Sequence, residues 1–311
     1  TSIAIITGNT TRKAVFALIL ALTALPWLSV KYVPVTAALA VYFLYKNWNS
    51  ERKKTYFFSV VMGISAIAYL IIHKRIYGGW TVYASGDHFV NGEFEVVGRN
   101  PNLAARTRRL SGLLLDQQFG LIPWTPAFFA LIPAFAFTLK ERFKETFLLV
   151  LCAVVGWSVA TWVALTMHGW WWPGRQLVVI LPTAIIAMAI LAEKFRAWRW
   201  FIYLGGISGV IAWLWLALEA TTDRRTLVVD FYETSYPIYQ ALADVLPDFT
   251  DFDQSALLSN VIWLTGIAVA TILTITRKTK VQKGLPLVRY ETRTQTLKIQ
   301  GTKSKLKISK Q

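Results

Sequence analysis

The sequence predicts an all-α, polytopic membrane helical bundle, and three features of its 311 residues indicate this class. First, 55% of the residues are hydrophobic and only 16% are charged, with a mean hydropathy of +0.44. A soluble domain of this length carries more charge and could not bury so much apolar sequence. Second, the apolar residues are gathered into long runs, as the bilayer requires. Third, many of the 14 Trp residues stand near the ends of these runs, which is typical of aromatic belts at membrane interfaces.

Eight apolar runs predict about eight transmembrane helices. A hydrocarbon core of about 30 Å needs about 20 residues of helix, so the first two runs are short for a full crossing. Pro26 and Pro34 bracket the junction of these two runs, and they predict either a tight helical hairpin or a pair that does not fully span. The runs lie near residues 14–29, 32–46, 56–72, 119–139, 146–167, 177–193, 200–218 and 257–276.

The distribution of Lys and Arg predicts that both termini are cytoplasmic. With that orientation, 23 of the 33 basic residues fall on cytoplasmic segments. Short loops follow the positive-inside rule most closely, and here only Lys31 and Arg175 lie on short outside loops. An even number of crossings agrees with this arrangement. We therefore expect a multi-pass membrane protein with residues 73–118 and 219–256 external.

The external segment 73–118 is expected to be an ordered cap on the outer face. It contains aromatic residues that could form a small core of their own, and its RRLSGLLL stretch should lie along the interface as a helix. The aromatic residues are Trp80, Tyr83, Phe89 and Phe94.

The external segment 219–256 is acidic and contains one stretch with helical periodicity. After Pro237, the residues Ile238, Leu242 and Val245 fall on one helical face. This pattern predicts a short amphipathic helix on the membrane surface.

Residues 1–276 are thus predicted to form the transmembrane domain, and residues 277–311 a basic cytoplasmic tail. The tail has eleven Lys or Arg residues and one Glu, which favours contact with anionic lipid of the cytoplasmic leaflet. A small strand or hairpin in the tail is the alternative. Nucleic acid is not an expected partner, because no aromatic platform accompanies the charge.

No metal site or cofactor is predicted from the residues themselves. The chain has no phosphate-binding glycine loop, no HExxH and no CxxC. Its three histidines, His73, His88 and His168, stand in different loops or loop edges, and Cys152 is a lone cysteine inside an apolar run. A buried small hydrophobe is the expected role of Cys152.

Asp116 is the first polar residue of interest, because it enters the outer edge of the fourth run. The carboxylate could simply cap a helix N-terminus. Alternatively, it lines a cavity at the level of the membrane, which is the usual reason for a polar group at such a depth.

The second stretch of interest is MHGWWWPGRQLVVILP, over residues 167–182. Trp170, Trp171 and Trp172 fit interface anchors, and Arg175 before an apolar run fits a side chain that extends to the headgroups. Arg is also the preferred partner of a phosphate because of its planar fork of donors. Arg175 beside aromatic rings therefore also fits a site for a lipid phosphate or a sugar.

These two stretches carry a resemblance to bacterial membrane glycosyltransferases of the GT-C superfamily, which use polyprenyl-phosphate sugars. In many of those enzymes an Asp-x-x-x-Gly-Leu-x-x-x-x-Pro element opens one span. Asp116, Gly120, Leu121 and Pro126 match that element.

A later Trp-x-Gly-Gly-x-x-x-Gly-x-Arg element of the family precedes another span. Trp170, Gly174, Arg175 and Pro182 match it in part, while Trp172 and Pro173 stand near the position of the family's glycine pair. The likeness covers roughly residues 14–250.

The resemblance implies transfer from a polyprenyl-phosphate sugar at the outer face, but the catalytic Asp of the family is absent. That Asp lies in the first outside loop, which here reads SVKYV. The chain therefore resembles the C-terminal part of such an enzyme. No catalytic residue is assigned, and any divalent metal would come with the missing part. The alternative is a non-catalytic accessory subunit of a larger membrane complex, derived from the same fold.

The hypothesis for a site is that Asp116, His168 and Arg175 face one cavity in the outer leaflet. The three stand at the outside ends of successive runs, and short loops favour adjacent helices. Arg175 would bind a lipid phosphate, His168 would add a donor and Asp116 would orient either one. Trp170, Trp171 and Trp172 would cover the site or stack on a sugar.

Overall fold

The computed structural model describes residues 11–80, 102–164, 166–168, 172–224, 226 and 231–277, without the side chains of 142–145. Every regular element in these residues is helical. The chain divides into two units after Arg277, and residues 278–311 of the predicted tail and 81–101 of the predicted cap lie outside the described residues. The α-helices are α1 (Arg12–Leu28), α2 (Val33–Asn47), α3 (Arg52–Tyr77), α4 (Leu103–Thr107), α5 (Arg109–Leu115), α6 (Leu121–Trp124), α7 (Leu131–Ser158), α8 (Leu181–Lys194), α9 (Arg196–Thr221), α10 (Pro237–Ala243) and α11 (Gln254–Thr276). Shorter 3-10 segments are Val30–Tyr32, Pro126–Ala130, Arg175–Leu177 and Phe231–Glu233, and Val159–Val163 is a π-helical turn.

Four helical stretches in the described residues are long and apolar enough to cross a membrane: α3, Thr146–Val163, α9 and α11. Only 11% of α3 and of α11 and 17% of α9 is buried within the protein, against 50% of Thr146–Val163. A helix that is apolar on all sides and largely uncovered by protein is suited to lipid contact. The chain is therefore a membrane-embedded helical protein, with Thr146–Val163 near its centre and α3, α9 and α11 at its periphery.

The predicted tight hairpin of the first two runs is present as α1 and α2. Ser29 ends α1, and its hydroxyl accepts a hydrogen bond from Lys31 N. Pro34 stands in the first turn of α2, where its missing N–H leaves no helical acceptor unmatched. Phe43 of α2 packs on Phe58 of α3 with 4.5 Å between ring centroids, so the third helix joins the hairpin.

The fourth run, 119–139, is not one continuous helix, contrary to the prediction. It is divided into α6, the 3-10 segment Pro126–Ala130 and the start of α7, and Thr125 between the first two is non-helical, with φ −142° and ψ 89°. Proline explains the breaks, because it lacks a backbone donor and restricts the residue before it. Pro126 restricts the backbone of Thr125, the residue before it. The next α-helix, α7, begins only at Leu131.

A sharp bend falls between the first and second parts of α7. Thr146 Oγ1 donates to the carbonyl of Thr138 at 3.1 Å, although these residues are eight apart. Eight residues of straight α-helix rise about 12 Å, so a straight α7 would not allow this contact. The bend coincides with the predicted turn at 140–145 between the fourth and fifth runs.

Close packing around the 3-10 segment Pro126–Ala130 is made possible by two glycines of α9. A Cβ at Gly205 would lie 2.4 Å from Ala127 N, and one at Gly209 would lie 2.5 Å from Thr125 Oγ1. The Gly-x-x-x-Gly spacing places both on one helical face, so α9 can approach the irregular backbone. This contact fixes the position of α6, which lies beside the candidate site.

The predicted short helix after Pro237 is present as α10, and two of the three residues on its predicted membrane face are uncovered by protein. Ile238 and Val245 are exposed, whereas Tyr239 is buried against Trp124. The stacked rings, 4.1 Å between centroids, bury more area than the aliphatic residues would. Aromatic packing therefore decides which face of α10 turns inward.

Candidate functional site

Asp116 is the centre of the candidate site, and its carboxylate is fully buried. It follows the last residue of α5 and begins a tight turn that leads to α6. Oδ1 accepts from Gln118 N at 3.0 Å and from Phe119 N at 2.6 Å, so it caps this turn. Asp116 is therefore not the cap of a helix N-terminus, which was the simpler prediction: α6 begins after Gly120, and the carboxylate caps the turn before it.

The second carboxylate oxygen joins this turn to two distant parts of the chain. Oδ2 accepts from Phe249 N at 3.0 Å, in the loop before α11. The same oxygen lies 3.2 Å from Nε2 of His168. Gln117 N also donates to Pro247 O at 3.1 Å, which strengthens the connection to the loop. Three segments that are far apart in sequence therefore meet at one buried acid.

His168 is the accessible member of this pair, with 29% of its side chain exposed. Its ring makes an edge contact with Phe119, with 5.0 Å between centroids. One ring nitrogen faces Asp116 and the Phe119 contact fixes the ring plane, so the imidazole is held in one orientation. The pair thus presents an oriented imidazole at a partly open surface, backed by a buried carboxylate.

The charge of Asp116 is also felt by a phenol on α10. Burial raises the pKa of Tyr239, and the negative charges of Asp116 and of Tyr232 when ionised add to this effect. Tyr239 therefore stays protonated throughout the physiological range. Since it stacks on Trp124, whose Nε1 donates to Gln118 O at 2.7 Å, α10 is tied to the same turn.

Arg175 is not among the hydrogen-bonding partners of Asp116 or His168 in the described part of the chain. Its side chain is exposed, and its carbonyl accepts from Lys31 Nζ at 3.3 Å. The preceding Gly174 has φ +74°, and a Cβ there would lie 2.6 Å from Leu121 Cδ2. Arg175 therefore follows a turn that packs on the first residue of α6, near the elements that hold Asp116. Its predicted role in phosphate binding stays a prediction.

Of the three tryptophans, Trp172 lies within the described residues, and Trp170 and Trp171 lie outside them. Trp172 stacks on Phe231 with 6.2 Å between ring centroids. Phe231 is fully buried and also makes an edge contact with Phe119 at 5.3 Å. An aromatic cluster thus leads from the half-buried Trp172 through Phe231 and Phe119 to His168.

Two arginines near the site hold the end of the central span. Arg106 Nη1 donates to the carbonyl of Trp162 at 2.7 Å, and Arg109 Nη1 to that of Ala164 at 2.6 Å. These carbonyls belong to the π-helical turn and the residue after it, where the helix has no backbone donors for them. Burial, and then the charge of Arg106, lowers the pKa of Arg109 to about 10. Both side chains remain cationic at neutral pH.

A second buried acid, Glu219, was not singled out from the sequence. It ends α9 and accepts from Thr234 Oγ1 at 2.7 Å, from Ser235 N at 2.9 Å and from Ser235 Oγ at 2.5 Å. Trp215 Nε1 completes the set at 3.2 Å. The available signal was an acid directly after an apolar run, which is the same signal that drew attention to Asp116.

No group of three His, Cys, Asp or Glu residues suited to a metal ion occurs in the parts of the chain that the structure describes. Cys152 is buried within the core that α1, α2 and α3 share with α7.

No protein-family model matches the chain, and neither a curated protein nor a solved structure does so. The candidate site therefore depends on its own geometry: a buried carboxylate, an oriented and partly exposed imidazole, and an aromatic cluster beside them.

Proposed function

We propose that this chain is a membrane glycosyltransferase-like protein of the GT-C type that binds a lipid-phosphate-linked sugar at the outer face. The observation that carries the proposal is the contact between Asp116 and His168, which holds an imidazole at a partly exposed position beside aromatic residues. A sugar phosphate needs both kinds of surface: donors for its oxygens and aromatic faces for its ring.

The proposal assigns different roles to the residues of the site. His168 would donate to a phosphate oxygen, and Arg175 on the neighbouring turn would approach the same phosphate with its fork of donors. Trp172, which is half-buried, would offer an aromatic face to the sugar, with Trp170 and Trp171 near it in sequence. Polyprenyl-phosphate sugar and membrane lipid are the partners that these roles imply.

Asp116 is not proposed as a catalytic base. Its two oxygens take three backbone N–H donors and His168, and no part of the residue is exposed. A general base must reach the proton that it removes. Catalysis would therefore require a carboxylate from outside this site, and a divalent metal, if one takes part, would also come from outside it.

The proposal includes the membrane topology. We place the chain in a bacterial inner membrane with about eight crossings, both termini cytoplasmic, and residues 73–118 and 219–256 external. The distribution of basic residues supports this orientation. The four long apolar helices support part of the count, and α1, α2 and α8 are 17, 15 and 14 residues long, so they would cross only a thinned bilayer or in part.

An accessory subunit of a larger membrane complex is the second candidate function. The hydrogen bonds to both oxygens of Asp116 favour this second function, because they leave the site with an oriented imidazole but no accessible carboxylate. In that case the chain would bind a lipid phosphate or a partner subunit without catalysing transfer.

Binding of a polyprenyl phosphate to the purified protein in detergent tests the proposal, with native mass spectrometry as the readout. Arg175→Ala and His168→Ala should each weaken binding by roughly 1.5–3 kcal/mol, the scale of a hydrogen bond to a charged group. Arg224→Ala is the matched control, since Arg224 is also exposed and predicted to be external. The same affinity in all three variants would overturn the proposal.

A further inference from the structure

An apolar groove of about 500 Å³ lies between α5, α7 and α11. Its floor consists of the buried residues Leu114, Leu131 and Ile267, one from each helix. Val154 and Leu264 form part of its sides and are exposed. In a membrane-embedded protein such a groove is filled by hydrocarbon, because water would gain few hydrogen bonds there.

Two tryptophans indicate the depth at which the groove begins. Trp157 lines the groove, and its Nε1 donates to Leu110 O at 3.2 Å. Trp263, beside Leu264 on α11, donates from Nε1 to Val245 O at 2.9 Å. Indoles with an apolar face and a satisfied N–H are typical of the membrane interface. The groove therefore starts at interface level near Leu110 and extends along α7 toward Val150.

Three arginines stand at the interface end of this groove. Arg108 and Arg109 directly precede Leu110 and Ser111, which line it, and Arg106 lies one turn earlier. Arg106 is nine-tenths buried, and its guanidinium has a single hydrogen bond, to the carbonyl of Trp162. Arg108 is exposed and lies 4.9 Å over the ring of Phe252.

Two of these arginines, Arg106 and Arg108, have no ion pair among the described residues. Neither Arg106 nor Arg108 has a carboxylate within 4 Å in the described part of the chain. Two acids of the neighbouring loop are bound within that loop: Asp248 Oδ1 accepts from Thr250 N, and Asp253 Oδ1 from Ala256 N. A buried cation without a counter-ion is costly unless an anion comes to it.

We propose that the groove and the three arginines form a binding site for an anionic phospholipid of the bilayer. The phosphate would lie at the arginines and one acyl chain in the groove, so that charge and apolar surface are each matched along the length of the lipid. The site is separate from His168 and does not rest on the proposed function.

Native mass spectrometry with phosphatidylglycerol and phosphatidylcholine of identical acyl chains tests this proposal. The protein should bind phosphatidylglycerol at least tenfold more tightly, and Arg108→Gln/Arg109→Gln should remove most of that preference. Arg196→Gln/Arg277→Gln, at exposed positions outside the groove, should leave it unchanged. If folding of the double variant fails, Arg108→Gln alone gives the same test, because Arg108 is exposed.

Filling the groove tests the second half of the proposal. Val154→Trp should weaken binding of both lipids, while Val210→Trp, on an exposed part of α9 away from the groove, should not. Equal affinity for the two lipids in the wild type, or no effect of Val154→Trp, would overturn the proposal. Displacement of phosphatidylglycerol by millimolar inorganic phosphate would also overturn it, since the site would then recognise phosphate and not a lipid.

Discussion

Asp116 and Glu219 are two buried carboxylates that do similar structural work at the ends of helices. Each fixes a segment that is distant in sequence: Asp116 fixes the loop before α11, and Glu219 fixes residues 234–235 beside α9. They differ in their partners. Glu219 binds a backbone amide, two hydroxyls and an indole, whereas Asp116 also binds an imidazole that is partly exposed.

This difference distinguishes an acid with a structural role, Glu219, from an acid that belongs to a candidate binding site, Asp116. A carboxylate that binds only backbone, hydroxyl and indole donors is expected to stabilise the fold. A carboxylate that holds a histidine also fixes a partly exposed imidazole in position for another molecule. Replacement of each acid, and of His168, tests whether the distinction holds.

The largest effect is expected for Asp116→Ala. The change leaves the N–H groups of Phe119 and Phe249 without their acceptor in a site that water does not reach, and it releases His168. We expect a loss of about 3–5 kcal/mol of unfolding free energy, the usual result of removing one partner of a buried pair. Denaturant unfolding in detergent micelles, followed by near-ultraviolet circular dichroism, measures this.

Asp244→Ala is the control for that change, since Asp244 is an exposed acid at the end of α10. It should shift the unfolding free energy by less than about 0.5 kcal/mol. Similar losses for the two variants would mean that the buried contacts of Asp116 contribute little.

Glu219→Ala is expected to have an intermediate effect on stability. Three of its four donors are side-chain groups, of Thr234, Ser235 and Trp215, and these can turn toward other acceptors more easily than a backbone amide. We expect a loss of about 1.5–3 kcal/mol in the same unfolding assay. Affinity for polyprenyl phosphate should stay within twofold of the wild type. A large fall in affinity would remove the distinction between the two acids.

His168→Ala should show the opposite pattern. Because the side chain is partly exposed, loss of its contact with Asp116 should cost less than about 1 kcal/mol of stability. Affinity for polyprenyl phosphate should nevertheless fall about tenfold or more, as expected for a donor to a charged group. His168→Gln, which keeps a donor, should recover part of the affinity. If His168→Ala is unstable but binds polyprenyl phosphate normally, the role of His168 is structural.

Much of the helical framework could be predicted from the sequence, because long apolar runs have few alternatives in a membrane. The third, seventh and eighth runs correspond to α3, α9 and α11. The length of the fourth apolar run predicted one continuous helix, but Pro126 interrupts that helix. Local backbone chemistry overrode hydropathy at that point.

The candidate site was less predictable, for a different physical reason. The meeting of Asp116 with His168 followed from their positions at the ends of adjacent runs. The contact with Phe249 could not be foreseen, because it involves a backbone amide that any residue provides. Arg175 was placed by the same reasoning as His168, yet the turn at Gly174 leaves its side chain exposed.

The smallest expected effect concerns a third acid, Asp253, which is exposed and begins α11. Its pKa lies below its ordinary value, first because Ala256 N–H donates to it and then because the hydroxyl of Ser255 does. A lowered pKa in the folded state means that the folded state favours the ionised form. The stabilisation is therefore complete above the ordinary pKa and is lost as the pH falls through the folded pKa, from about pH 4 downward. Asp253→Asn keeps a good N-cap without the charge. We expect hydrogen exchange at Ala256 to become faster below pH 4 in the wild type, after correction for intrinsic rates, and to show no such step in Asp253→Asn. An equal step in both proteins would assign the acid sensitivity of α11 to another group.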